Sequence, residues 1–134
     1  MSEIVNYVNH GASQITPAIL EKVLRHLPLW KVEFTQINAP KFPHLVDQLE
    51  FLADAVEDSA EGVYKELPYF ALAEAVFALT CAHRQTNLIP AIIPELAGAD
   101  DSSIVRAVLI QNEKAFDKYA TSQGINWSSI TSKP

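Results

Sequence analysis

The chain has 134 residues, of which 49% are hydrophobic, so it is long enough for one domain with an apolar core and needs no disulfides. The formal net charge of −6 is opposite in sign to the surface of a protein that binds phosphate backbones, which makes nucleic acid an unexpected partner. The single cysteine, Cys81, cannot form an intramolecular disulfide or a zinc cluster, and the N-terminus lacks the basic start and apolar run of a signal peptide. We therefore expect a cytoplasmic protein.

The hydrophobic pattern predicts an all-α fold, a single helical domain over residues 1–134, because apolar residues recur at steps of three and four and strand-like alternation stays short. Residues 1–15 are expected to be a peripheral segment. Thr16 is typical of a helix N-cap and is followed by proline, so the first main helix is predicted near 17–27 and is expected to end at Pro28.

Three further main helices are predicted near 43–65, 68–84 and 101–122. The first of these has one apolar stripe and an acidic face that we expect to be solvated. The helix near 68–84 is apolar almost all round, which favours a central helix packed on several sides. Its apolar run is too short and too interrupted to span a bilayer. Gly124 is placed to cap the last helix, and residues 125–134 are expected to dock on the domain or fray.

Large aromatic residues lie outside the clear apolar stripes and are candidates for an interface. Trp30 and Phe34 follow Pro28 in a stretch that we expect to be irregular, where they would pack on the core or on a neighbouring chain. Trp127 lies in the C-terminal segment. Because aromatic side chains are favoured at interfaces, these three residues predict a homo-oligomer or a protein partner.

The stretch "HRQTNLIPAIIPELAGADD" connects the third predicted helix to the fourth. Pro90 and Pro94 each lack a backbone donor and disfavour helical angles in the residue before them, so no continuous helix can cross this region. Single turns are still allowed, one of them capped by Asn87. Because the connector is rich in leucine and isoleucine, we expect a rigid corner that is buried against the core.

An apolar helix, then "NLIPAIIPELAGADD", then a second helix resembles the YkvA-like family of unknown function over roughly residues 67–109. The two Ile-Pro pairs, the leucine after them and the paired aspartates are all in register with that family. The chain differs from the family at three positions: asparagine and alanine replace its two aspartates, and the expected glycine comes one place later. These differences fall at Asn87, Ala91 and Ala97. The resemblance implies a small helical domain, often apolar enough to be membrane-associated, and no established reaction.

Several polar residues in or near this corner have two interpretations. Asp100 and Asp101 are candidate metal ligands or acid–base groups, but two acids followed by two serines at a helix start are also typical of capping. His83 and Glu95 could join such a site, although histidine near a helix C-terminus is also favoured by the helix dipole. The four histidines show no spacing typical of a metal site and no phosphate-binding loop is present, so we expect no cofactor and no metal.

Glu74 is the one acidic residue of the third predicted helix. An acid in such a helix must reach solvent, find a partner or change its pKa, and the favoured interpretation is exposure at the helix edge. Cys81 would need a nearby base and an electropositive setting to act as a nucleophile, and because it is surrounded by Leu79, Thr80 and Ala82 it is interpreted as a small core residue.

Three functional classes follow from these observations. The preferred one is a non-catalytic interaction module that forms homo-oligomers or binds a protein partner. The second is a peripheral membrane protein, which an acidic chain without a basic patch does not favour. The third is a metal-binding protein or acid–base enzyme that uses the region of Glu74, His83, Asp100 and Asp101.

Overall fold

A computed structural model of the chain describes residues 2–37, 42–83 and 101–130. Within these ranges the chain is helical and contains no strand, which confirms the all-α prediction. The helices are α1 (Ser2–Ser13), α2 (Pro17–Phe34), α3 (Leu45–Ala60), α4 (Tyr69–Ala82), α5 (Asp101–Gln111), α6 (Glu113–Ser122) and a 3₁₀ turn at Trp127–Ser129. None of the helices in these ranges is both long and apolar enough to cross a membrane.

Helix α4 is the centre of the domain. All of its residues from Ala71 to Cys81 are buried, and α1, α3 and α5 pack against it. Alanines alternate with larger residues along α4, which allows neighbouring helices to approach closely on several sides. A helix apolar all round is expected at this position, so the sequence prediction of a central helix is confirmed.

The N-terminal segment differs from the sequence expectation, because residues 2–13 form a helix that belongs to the core. Val8 is fully buried, and the ring of Tyr7 makes an edge contact with the ring of Phe77, with centroids 5.3 Å apart. Gly11 lies directly against Phe77, at a place where a side chain would collide with the aromatic ring. The glycine therefore sets how closely α1 approaches α4.

Helix α2 begins as predicted but does not end where predicted. The hydroxyl of Thr16 accepts a hydrogen bond from the backbone N–H of Ile19 at 3.2 Å, which is the N-cap interaction that the sequence indicates. The prediction that Pro28 ends the helix is wrong, since α2 continues to Phe34. Pro28 is exposed, and a proline on the solvent side of a helix costs one backbone hydrogen bond without disturbing the core packing.

The continuation of α2 places two predicted interface residues inside the domain. Trp30 is 3% exposed and Phe34 is 1% exposed. Both lie on the apolar stripe that begins with Ile19 and Val23, at the spacing of a single helix face. Their side chains are therefore part of the core and cannot serve as exposed anchors for a second chain.

The last predicted helix is divided in two. Residues 101–122 form α5 and α6, and Asn112 lies between them outside helical geometry. Helix α6 packs towards α3, where the hydroxyl of Tyr119 donates a hydrogen bond of 2.5 Å to Oδ2 of Asp58. Burial of the ring and this contact with Asp58 both raise the pKa of Tyr119, so the hydroxyl keeps its proton.

The end of α6 confirms the predicted role of Gly124. Its φ of 70° is in the left-handed region, which glycine adopts at little cost. The backbone N–H of Ile125 donates to the carbonyl of Ala120 at 2.8 Å, and that of Gly124 donates to Thr121 at 3.1 Å. This pair of bonds is a Schellman motif, and it turns the chain back towards the domain. The predicted proline corner, residues 84–100, lies outside the described residues.

We expect Gly11→Ala to destabilise the protein by about 1–3 kcal/mol, because overpacking against Phe77 outweighs the roughly 1 kcal/mol that alanine gains over glycine in helix propensity. Urea unfolding followed by circular dichroism measures the change. Asn6→Ala is the matched control, since Asn6 is exposed on the same helix. A Gly11→Ala variant as stable as the control would contradict the close approach of α1 and α4.

Candidate functional site

Glu74 is buried in the middle of α4, with no side-chain exposure. The favoured expectation of an exposed helix edge is therefore wrong. Oε1 of Glu74 accepts a hydrogen bond of 2.8 Å from Nδ2 of Asn112 and one of 3.3 Å from Nε2 of Gln111. Its other oxygen, Oε2, is buried and has no hydrogen-bond partner among the described residues.

Burial raises the pKa of the Glu74 carboxyl, because the charged form loses its hydration, and the hydrogen bond from Asn112 lowers it to a smaller extent. The net direction is upward, so the neutral acid is favoured over a wider pH range than for an exposed glutamate. Both hydrogen-bond partners are amides, which do not titrate. Within the described residues, the geometry thus provides one buried acid without a second titratable group hydrogen-bonded to it, which suits a structural contact better than acid–base chemistry.

Asn112 explains how this acid is held and why α5 stops. Its side-chain amide donates to Glu74 and also to the backbone carbonyl of Val108 at 2.9 Å, so both amide hydrogens are used. Asparagine is a poor helix former because its side chain competes for backbone hydrogen bonds, and here it bonds to the preceding turn. A cavity of about 490 Å³ opens at this break and is lined by Ile110 to Ala115.

His83 lies at the end of α4 and belongs to a different cluster. Its ring stacks on Trp30, with centroids 4.5 Å apart and planes at 15°, and meets Phe34 edge-on. Nε2 of His83 lies 3.0 Å from Oε1 of Glu33. This histidine therefore closes the end of the α2–α4 interface, and its neighbours are aromatic rings and one acid.

Among the described members of the predicted acid–base or metal set, Glu74 and His83 have different neighbours. Glu74 contacts the α5–α6 break, whereas His83 contacts α2. Asp101 is the first residue of α5. The remaining members of the predicted corner site lie outside the described residues: Asn87, Pro90, Pro94, Glu95 and Asp100. Within the described ranges, no three His, Cys, Asp or Glu side chains are close enough together to hold a metal ion.

A groove between α3 and the C-terminal segment is a second candidate site, and we call it the α3 groove. It has a volume of about 320 Å³ and is open to solvent. Three acidic residues and three apolar residues line it: Asp47, Glu50, Asp54, Phe51, Ile125 and Ile130. Glu50, Phe51 and Asp54 follow Asp47 by three, four and seven positions, so the four residues from α3 share one face of the helix.

The floor of the α3 groove is aromatic. Phe51 is 4% exposed, and its ring lies 5.5–5.9 Å from the rings of Phe116, Tyr119 and Trp127. Trp127 is half-buried and sits in the 3₁₀ turn, whose start is capped by Asn126 through a 3.1 Å bond from the N–H of Ser128. The sequence expectation that the C-terminal segment docks by Ile125 and Trp127 or frays is thus resolved in favour of docking for residues 125–130.

Among the described residues, ion pairs compensate the acidic rim of the groove at the Asp54 end only. Nζ of Lys31 lies 2.8 Å from Oδ1 of Asp54 and 2.8 Å from Oε1 of Glu57. Burial alone would lower the pKa of Lys31, but the hydrogen bonds and charges of these two acids outweigh burial and raise it, so the ammonium stays charged. Asp47 and Glu50 form no ion pair with any residue of the described ranges.

Sequence reasoning missed the α3 groove as a site. It assigned the acidic face of α3 to solvent and the C-terminal tail to a peripheral position, and periodicity alone cannot join segments that are about 75 residues apart in the chain. One signal was present: Phe51 interrupts the acidic face between Glu50 and Asp54, and an aromatic residue among acids indicates a covered surface.

Comparison with known proteins gives no match to any protein-family model, to any curated protein or to any solved structure. The resemblance to the YkvA-like family therefore stays a prediction. The proline-containing segment that carries most of it lies outside the described residues.

We expect the free energy of unfolding to fall with rising pH because of Glu74. Below the ordinary glutamate pKa of about 4.5 the carboxyl is protonated in both the folded and the unfolded state, and its contribution to the free energy of unfolding is complete. This contribution is lost as the pH rises through the elevated pKa of the folded state, at up to about 1.4 kcal/mol per pH unit between the two pKa values. Glu74→Gln removes this dependence, because the amide carries no titrating proton.

The measurement is urea unfolding of wild type and Glu74→Gln between pH 4 and pH 8, with the difference between the two taken at each pH. This difference removes the contribution of every other titrating group. If the two profiles run parallel, Glu74 titrates at its ordinary value and the inference of an elevated pKa is wrong.

Proposed function

We propose that this protein is a non-catalytic interaction module and that it binds a partner chain in the α3 groove. The observation that carries the proposal is the composition of the groove, in which one aromatic and two aliphatic side chains lie beside three carboxylates. Protein interfaces have this arrangement, with apolar contacts at the centre and polar groups around them.

The chemistry of the groove also favours binding over catalysis. Nucleophilic and acid–base catalysis need a nucleophile or acid in contact with a partner of complementary function. The α3 groove instead presents three carboxylates that share one charge sign along one helix face, and its remaining lining is apolar. Such a surface can attract and orient a partner, and it offers no pair that would transfer a proton or form a covalent intermediate.

The proposal is tested by photo-crosslinking in cells from a benzoylphenylalanine placed at Ile125, with the same residue at Asn6 as the control on the far helix α1. We expect a crosslinked partner from position 125 only. The partner, purified separately, should bind wild type and should bind Ile125→Ser/Ile130→Ser at least about tenfold more weakly, since two buried aliphatic contacts are worth more than 1.4 kcal/mol.

Circular dichroism establishes that the double variant remains folded. Equal crosslinking from positions 125 and 6 would count against the groove, as would unchanged affinity in the double variant.

A second candidate function, self-association, is favoured by the outer face of α2. Leu29 and Val32 are one turn apart, and each is 61% exposed. They lie in an exposed row with heptad-like steps of three and four that also contains Lys22 and Arg25. Two copies of such a row can pack against each other with the apolar pair at the centre.

We expect size-exclusion chromatography with light scattering to give a dimer for wild type and a monomer for Leu29→Ser/Val32→Ser, because the substitutions remove the apolar centre of the row. Val63→Ser is the control: Val63 is 65% exposed but lies in a loop, away from α2. A monomeric wild type at high concentration would exclude self-association through this face.

A further inference from the structure

The α3 groove has an uneven charge distribution that restricts what can occupy it. Asp47, Glu50 and Asp54 extend over about 10 Å of helix axis, at 1.5 Å per residue. Lys31 neutralises part of the charge at the Asp54 end. Among the residues that the structure describes, the charge without an ion pair is therefore concentrated at Asp47 and Glu50, which line the groove together with its apolar residues.

A partner that covers this floor also reduces the hydration of the two carboxylates. Removing water from an unpaired carboxylate is unfavourable, and an acidic partner would add repulsion to that cost. A positive group next to an apolar one avoids both penalties, because the apolar side chain contacts the half-buried Ile125 and Ile130 while the cation pairs with Asp47 or Glu50. Lysine and arginine are suited to this, since their aliphatic stems also cover apolar surface.

We propose that the occupant of the α3 groove is an amphipathic segment of a partner protein, in which lysine or arginine side chains flank apolar ones. The proposal rests on the proposed interaction function and adds the charge and the pattern of the partner. The row of acids lies along one side of the apolar floor, so the partner's cations lie along one edge of its apolar face. The open shape of the groove suits a row of side chains rather than an enclosed small molecule.

A metal ion is a poorer occupant of the same surface. The acids of the rim are spread along a helix, and no group of three ligands that could hold a metal is formed in the described part of the chain. An apolar floor also contributes nothing to a hard cation, which needs oxygen ligands. The floor and the rim are used together only by a partner with both kinds of side chain.

The test uses three fluorescently labelled peptides of about 14 residues, roughly four helical turns. All carry leucines at helical spacing, and the other positions are lysine in the first peptide, glutamine in the second and glutamate in the third. Fluorescence anisotropy measures their affinity for purified wild-type protein. We expect the lysine peptide to bind at least about tenfold more tightly than the other two and to weaken as salt is raised to about 150 mM.

Two matched double variants then locate the charge effect. Asp47→Asn/Glu50→Gln should reduce the affinity for the lysine peptide about tenfold, which corresponds to about 1.4 kcal/mol. Glu61→Gln/Asp117→Asn removes the same number of charges from exposed residues that do not line the groove, and should change the affinity less than about twofold at physiological salt.

The outcomes separate this proposal from the interaction function itself. If all three peptides bind equally and Ile125→Ser/Ile130→Ser weakens each of them, the groove is an interaction site without charge selectivity, and only the present proposal is overturned. If both charge variants lose affinity equally, the attraction comes from net charge and the proposal is also overturned. Absence of binding by the lysine peptide overturns it as well, while the crosslinking result decides the interaction function independently.

Discussion

The burial of α4 on several sides is the constraint on which the rest of the structure depends. A helix with no side facing water must satisfy any polar side chain inside the protein, because an unpaired buried group costs free energy comparable to a lost hydrogen bond. Glu74 is such a group, and it is bonded to the amide of Asn112. The composition of one helix thereby determines what a residue 38 positions further along the chain must do.

The hydrogen bond between Glu74 and Asn112 also affects the α3 groove. Asn112 leaves helical geometry, which separates α6 from α5, and α6 then packs towards α3 through Tyr119 and Asp58. Gly124 turns the chain, and Trp127 comes to rest on Phe51. The α3 groove is therefore completed by the continuation of the chain beyond the break, and its apolar lining comes from Phe51 of α3 and from Ile125 and Ile130 of the C-terminal residues.

Features with local causes could be predicted from the sequence: the Thr16 cap, the central position of α4 and the turn at Gly124 each depend on a few neighbouring residues. The continuation of α2 through Pro28 could not be predicted, since whether a proline breaks a helix depends on whether it lies on the solvent side or the core side of that helix. Helix α1 was missed because Gly11 weakens a helical pattern and acquires its purpose only opposite Phe77. The partner of Glu74 and the two sides of the α3 groove depend on contacts between distant segments, which no local pattern specifies.

The position of Cys81 allows opening of the core to be measured chemically. It is the single cysteine of the chain, and it is 5% exposed. A thiol reagent in solution can reach the sulfur only when α4 and its neighbours part, so the rate of alkylation reports the frequency of that opening. The rate at which the thiol of α4 reacts thus measures how often the core opens, and no residue has to be substituted for this measurement.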